Sequence, residues 1–595
     1  SLSWTPEIMA CVLEDIEDMA PTIRQDAYQV QVVPKKSSPA LSEAPSMVPG
    51  SQRVWAKTFG CSHNVSDGEY MLGLLRSYGY RLVGARDEAE CWLLNSCTVK
   101  DPSQAAFLHL VDEARSKGKA CVVAGCVPQA DRHLRGLAGV SVVGIQQIDR
   151  VVEVVEEALK GNTVRLLGRG QGLPGLHLPK MRKNPLVEII PLSTGCLGAC
   201  TYCKTRHARG KLGSYPPHEI RKRAVDVARE GVQEIWLSSE DTGAYGLDIG
   251  TNITALLNDV LAALEPFPQV MLRLGMTNPP YILDQLAGIS NALQHPRAFQ
   301  FLHVPVQSGS NAVLLDMNRE YTVEEFRRVC DALLANVPQI TLATDIICGF
   351  PGETDEQWNE TMRLCDAYRF PVTNISQFYP RPGTPAARMR RVKTQIVKER
   401  SRELTRSFEM YDAYSGLEGS VQACWIGTER SKDGRLVGHT RSYVKVLITG
   451  GEKVEAGSCA EVRVDRAHRW HVDGSVLRTL IPLQPSTRQL LEENDEWLRQ
   501  LRGEEETKVG QEETKVGPTP TAQTCTDCTC KNETEKACEE TQRPPATLVA
   551  ASAADQVVEM LTFLGLQLIV PLLCAVLYAN WRGHHTLEEM SNFLG

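Results

Sequence analysis

From residue 53 to about 160, short apolar runs alternate with amphipathic stretches. The runs are "RVWAKTFG", "CWLLNSC", "KACVVAGC" and "GVSVVG". Each has strand length and ends in small or turn-forming residues. The stretches between them predict helices near 65–79, 103–117 and 146–160. Met71, Leu72, Leu74 and Leu75 are among the apolar positions of the first. This alternation predicts a doubly wound α/β domain. It resumes from 186 to 380 with six apolar runs: "VEIIPLSTG", "EIWLSSED", "VMLRLGMTN", "FLHVPVQS", "ITLATDIICGF" and "NISQFYP". Helical segments are expected between them near 217–230, 253–264, 281–293, 322–335 and 355–369. Six β/α units make a partial barrel, short of the eight that close a full one. From about 416 to 480, five strand patterns recur without helices, which predicts a small all-β barrel.

The flanks read differently. Residues 1–50 are poor in aromatics and rich in Pro and Ser, and are expected to be disordered. Residues 485–550 are charged and repeat "EETKVG" at 505–510 and 512–517, which predicts a disordered acidic linker. Residues 560–579 are twenty in a row without charge, enough to cross about 30 Å of hydrocarbon. Pro571 is tolerable in a membrane helix, and Tyr578 and Trp581 suit an interface. A transmembrane helix over 557–580 is therefore expected. Only sixteen residues follow residue 579. That implies a tail anchor inserted after synthesis, with the rest of the chain cytosolic. One arginine and no lysine follow the span. This favours the endoplasmic reticulum, with the mitochondrial outer membrane as the alternative. The net charge of −8 is unevenly spread: residues 1–50, 491–548 and 549–595 carry −4, −7 and −3, leaving about +6 on the body. A basic body fits an anionic partner and equally an ordinary surface.

There are nineteen cysteines and no visible secretory signal, so a reducing compartment is expected and paired disulfides are not. Cys121, Cys348 and Cys365 sit in apolar runs and read as small buried hydrophobes. Cys525, Cys528 and Cys530 in "CTDCTC" have metal-binding spacing, but no predicted fold surrounds them. Two other groups stand out. Cys61, Cys97 and Cys126 each end a predicted strand. Their spacings of 36 and 29 residues look random along the chain. In a parallel sheet those ends line one crevice. Cys196, Cys200 and Cys203 lie in "TGCLGACTYCKTRHARG", after the first barrel strand and beside Gly195 and Gly198. Three thiolates on a four-iron cubane leave one iron open, as catalytic centres do. A zinc site would lack its fourth ligand.

C-x3-C-x2-C with Tyr202 before the last cysteine resembles the signature of the radical S-adenosylmethionine (SAM) superfamily. The resemblance implies a [4Fe–4S] cluster on Cys196, Cys200 and Cys203 that binds SAM and cleaves it to a 5′-deoxyadenosyl radical. "DIICGFPGET", with Gly349 and Gly352, looks like the superfamily's SAM-binding segment, and Glu240 stands where its members hold the SAM amino group. "GCSHNVSDGEY", "NSCTVK" and "AGCVPQA" are similar to the N-terminal domain of radical-SAM methylthiotransferases. There Cys61, Cys97 and Cys126 would carry a second [4Fe–4S] cluster that presents sulfur.

The resemblance covers about 51–482. It implies a cluster domain over 51–165, a radical-SAM core over 183–415 and a TRAM-like RNA-binding domain over 416–482. "SSEDTGAYG" and "LRLGMTNP" resemble the eukaryotic and archaeal branch, which acts on N6-threonylcarbamoyladenosine beside the tRNA anticodon. The tail resembles the anchor of the animal member. An electron donor, a sulfur donor and a monomeric chain are expected. Lys204, Arg206, Arg209, Lys211 and then Arg388, Arg390, Arg391 and Lys393 become candidate RNA contacts, since phosphate neutralisation supplies much RNA affinity. Two other readings are a methylthiotransferase for isopentenyladenosine tRNA and a non-catalytic iron–sulfur scaffold that binds RNA.

Overall fold

The computed structural model describes residues 50–98, 101–168 and 172–502. The N-terminal disordered segment, Cys525, Cys528, Cys530 and the membrane span expected from the sequence lie outside the described residues. Among the described residues no helix is long and apolar enough to cross a membrane.

The described residues open with six parallel strands: β1 (Arg53–Thr58), β2 (Arg81–Leu82), β3 (Cys91–Ser96), β4 (Ala120–Gly125), β5 (Ser141–Val143) and β6 (Arg165–Leu166). Their order is β2-β1-β3-β4-β5-β6. All six residues of β3 are buried, as expected of a central strand covered on both faces. Alternate residues feed two layers. Leu93 and Val122 pack with α1 (Ser62–Tyr78) and α4 (Val151–Leu159). Leu94 and Val123 pack with Phe107 and Val111 of α2 (Asp101–Ser116). The helix expected at 146–160 starts as a 3-10 turn, because Gln147 at φ −137° breaks the helical path before α4. A short helix, α3 (Cys126–Ala130), follows β4. The strand order reverses between β1 and β3, and ligand crevices form at such switch points.

The second α/β part runs β7 (Val187–Pro191), β10 (Glu234–Ser238), β11 (Met271–Leu274), β12 (Phe301–His303), β13 (Thr341–Cys348) and β14 (Val372–Gln377), all parallel. They form two three-stranded sheets joined by a bridge between Leu272 and Ala298. The covering helices are α6 (Pro217–Glu230), α7 (Ile253–Leu264), α8 (Leu286–Gln294), α10 (Val323–Asn336) and α11 (Asp355–Tyr368), with short α5 (Thr205–Arg209) and α9 (Asn311–Asp316) in loops. The architecture is a six-strand partial barrel. Two tiny antiparallel strands, β8 (Ser193–Thr194) and β9 (Gly213–Ser214), pinch the base of the loop that carries Cys196, Cys200 and Cys203.

After α12 (Thr394–Met410) the chain forms a closed five-strand barrel. Its strands are β15 (Val421–Arg430), β16 (Leu436–Thr440), β17 (Lys445–Gly451), β18 (Cys459–Ala467) and β19 (Val472–Ile481). It docks at the amino-terminal ends of β10 to β12. Trp425 and Tyr443 pack on Phe299, and the Tyr443 hydroxyl donates to Glu234 at 3.1 Å. The linker expected from 485 is corrected over its first part: Pro485–Arg502 is a helix, α13. Leu490, Leu491, Trp497, Leu498 and Leu501 recur at helical spacing there. Leu490 packs on the partial-barrel core, and the Thr487 hydroxyl donates to Gly231 O at 2.8 Å.

The two α/β parts are joined by buried charge. Glu188 on β7 is fully buried and takes Lys180, Arg182 and Arg223. Lys180 also reaches Glu69 of α1 at 3.3 Å. Burial alone would raise the Glu188 carboxyl, but the three cations outweigh it and hold it at about 2. Its folded value is depressed, so its stabilisation is present above the ordinary carboxylate range and is lost as pH falls towards 2. Glu188→Gln leaves three cations facing a neutral group. The expected loss is about 3–5 kcal/mol in chemical denaturation at neutral pH. A loss below 1 kcal/mol would mean the network contributes little.

Candidate iron–sulfur and SAM site

Cys61, Cys97 and Cys126 stand at the carboxyl ends of β1, β3 and β4, adjacent in the sheet, and all three are buried. Cys61 is the N-cap of α1 and Cys126 opens α3. The glycines before them set the approach. Gly60 has φ +97°, and a Cβ there would lie 2.4 Å from Cys97 Sγ. Gly125 has φ +87°, and a Cβ there would lie 2.2 Å from Ser96 O. Only glycine lets these two turns close on the end of β3.

The second trio is held by backbone. Cys196 N–H donates to Gly210 O at 3.2 Å, and Thr201 N–H to Met317 O at 2.9 Å. A Cβ on Gly198 would lie 3.6 Å from Cys196 Sγ and 3.9 Å from Cys200 Sγ. Both sulfurs thus converge over a bare glycine. Arg319 Nη1 donates to Cys200 Sγ at 3.0 Å, a bond from a charged donor. Arg319 also donates to Asn278 Oδ1 and to the Tyr321 hydroxyl. Asn278 is tied to Asp241 at 2.7 Å. A cavity opens on this cluster, lined among others by Cys196, Cys200, Glu240, Asn278, Gln307 and Arg319. Burial pushes the Asp241 carboxyl up to about 6 against its bonds to Asn278. The oxygen Oε1 of buried Gln307 has no partner among the described residues.

The donor sets fit clusters better than single ions. Among the described residues, neither trio draws its sulfurs within 4.8 Å of one another, as the ligands of one ion must be. The group that does is His468, His471 and Asp473 in the β-barrel, where Arg435 already pairs with Asp473 at 2.8 Å.

The trios face each other across the junction of the two α/β parts. Ala208 of α5 packs against Cys126 and Ile145. Arg209 donates to Asp67 of α1 at 2.7 Å, and its Nε lies 2.9 Å from Glu240 Oε1. His63 Nδ1 lies 3.3 Å from the same oxygen. Burial, then Arg209 and Lys180, push His63 well below its usual value, so it stays neutral. Burial pushes Glu240 up.

Several residues expected at the site are placed elsewhere. Arg209, expected to meet RNA, is fully buried, because α5 runs inward between the trios. Arg206, also expected to meet RNA, donates at 3.2 Å to Leu197 O and at 3.4 Å to Gly198 O inside the cysteine loop. Lys204 is half-buried at the N-cap of α5, and Lys211 is exposed. Arg388, Arg390, Arg391 and Lys393 are exposed, just before α12. Glu240 and Tyr202 line the cavity, whereas Gly349 and Gly352 are absent from its lining. A Cβ on Gly349 would strike Val397 of α12. The glycine turn instead sends Phe350 onto Tyr202, ring centroids 6.4 Å apart. Arg319, Asn278 and Asp241 had no role assigned from sequence. Asp241 and Asn278 lie inside "SSEDTGAYG" and "LRLGMTNP", but only the fold shows their bonds to each other and to Arg319.

Comparison with known proteins agrees with this arrangement. The Radical SAM superfamily matches residues 190–365, and the uncharacterized protein family UPF0004 matches 53–141. A threonylcarbamoyladenosine tRNA methylthiotransferase of Xenopus laevis is 49% identical over 502 residues, 81% of this chain and 89% of that one. The Homo sapiens protein of the same name is 52% identical over 440 residues, 73% of this chain and 75% of that one. The radical S-adenosylmethionine methyltransferase TsrM from Kitasatospora setae, solved with cobalamin and a [4Fe–4S] cluster, aligns at TM-score 0.42 and 15% identity, covering 56% of this chain and 77% of that one. With 49% identity over 89% of the Xenopus protein, the chain belongs to the threonylcarbamoyladenosine tRNA methylthiotransferase family.

Proposed function

We infer that this chain transfers a methylthio group to C2 of N6-threonylcarbamoyladenosine, beside the anticodon of tRNA. It uses SAM and two [4Fe–4S] clusters, one on each cysteine trio. The observation that carries this is the pair of three-thiolate sites at strand ends, joined through Arg209 and Glu240. When bound, the clusters supply the electron that cleaves SAM and a carrier for the sulfur. The protein supplies position and charge. Arg319 holds the Cys200 sulfur in place. Asp241 orients Asn278, which in turn holds Arg319. Glu240 Oε2 is buried without a partner among the described residues and is the acceptor suited to the ammonium of SAM. The test is anaerobic reconstitution with SAM, reductant and tRNA bearing threonylcarbamoyladenosine, followed by nucleoside mass spectrometry. Absence of the methylthio product, or its formation on isopentenyladenosine tRNA instead, sinks this reading.

Two finer readings belong here. The exposed run Arg388, Arg390, Arg391 and Lys393, with Lys211, is proposed as a phosphate-contacting surface. Its support is solvent exposure and the absence of an ion pair on the run among the described residues. Reversing the charge of Arg388, Arg390 and Arg391 is expected to weaken tRNA binding and flatten its log–log salt slope by about two units. An unchanged slope returns them to ordinary surface charge. Residues 560–579 are proposed to anchor the protein to the endoplasmic reticulum membrane, supported by their uncharged sequence. Arginines at Leu568 and Leu572 each cost about 2.5–3.5 kcal/mol near mid-bilayer and should release the protein on carbonate extraction. Equal extraction of parent and variant counts against the anchor.

A further inference from the structure

Between the two trios lies a buried guanidinium with a donor to spare. The Arg209 side chain is 1% exposed. Asp67 and Glu240 occupy Nη2 and the Nε side, while Nη1 is buried and meets no acceptor among the described residues. An unsatisfied charged donor in the interior is costly, so such a group usually faces an anion. The neighbouring residue, Ala208, packs on Cys126, and Asp67, to which Arg209 donates, lies on α1, the helix that Cys61 caps. The spare donor therefore belongs to the Cys61, Cys97 and Cys126 site. Resting on the sulfur-carrying role proposed above for that trio, we propose that Arg209 is a positioning residue that receives a small sulfur anion, of the hydrosulfide or methanethiolate class. Guanidinium suits the task. It stays charged when buried, and its fork can hold two carboxylates and still offer a third edge. Asp67 and Glu240 aim the fork and also temper its charge.

The test uses the full chain with Cys196, Cys200 and Cys203 replaced by Ala, reconstituted so that only the N-terminal trio holds a cluster. Sodium sulfide is titrated in, and the EPR spectrum of the reduced cluster reads its binding. Arg209→Met is expected to weaken sulfide binding about ten-fold or more at unchanged iron content. Asp67→Asn removes a competing negative charge and is expected to tighten it. Loss of mere packing would weaken binding in both variants. Unchanged affinity in Arg209→Met, or weakening in Asp67→Asn, overturns the proposal. Should Arg209→Met fail to load iron, Asp67→Asn alone decides. A parent background that takes up no iron speaks instead against the proposed function.

Discussion

Protein in which Cys61, Cys97 and Cys126 are all replaced by Ala is expected to keep cleaving SAM while making no methylthiolated nucleoside. The second trio owes its position to its own elements. The β8–β9 pinch, the Gly210 and Met317 carbonyls and the Arg319 bond to Cys200 all lie within the partial barrel. None of them passes through the first trio. Iron should fall from about eight to about four per chain, the content of one cubane. 5′-Deoxyadenosine should still form with SAM and dithionite, and nucleoside mass spectrometry should find only unconverted threonylcarbamoyladenosine. Methylthio product at the parent rate would remove sulfur handling from this trio.

The complementary change has the larger effect. Replacing Cys196, Cys200 and Cys203 with Ala should abolish both SAM cleavage and product while leaving about four irons. The loop should keep its path, because backbone bonds rather than the thiols pin it: Cys196 N–H to Gly210 O and Thr201 N–H to Met317 O. Loss of activity would then report chemistry rather than unfolding, and an unchanged melting temperature checks that. 5′-Deoxyadenosine above the no-enzyme background would sink the assignment of this trio as the SAM-cleaving site. Together the two variants form an asymmetric pair. One stops the transfer alone, and the other stops everything.

Much of this architecture was legible because the two periodicities differ. Fully apolar runs such as "CWLLNS" mark strands covered on both faces, and the six barrel runs coincide with the observed strands. The second trio is compact in sequence and reads directly. The first trio, spaced by 36 and 29 residues, is legible only once a parallel sheet is assumed, since the sheet turns sequence distance into adjacency. What escaped is long-range and polar. Arg209 sits in a basic run that looks like a phosphate surface, and nothing local says that α5 turns inward to Asp67, 142 residues away. Glu188 lies in the apolar run "VEIIP", where its three cations come from a loop and a separate helix. Helix α13 was hidden by its charge, which outweighs a weak apolar stripe unless the helical spacing is traced.

The charge shared across the junction has a consequence for inheritance and for dissection. Cutting the chain after β6 would strand Asp67 and Glu69 on one fragment and their partners Arg209 and Lys180 on the other. Each fragment would present to water or to itself a set of ions that evolved to be answered from across the cut. Swapping in the first part from a distant relative would fail in the same way unless its acids matched. The two parts are therefore not interchangeable cassettes. They are one unit of recombination, and a duplication or fusion that carried only one of them would inherit an interface without its counterpart.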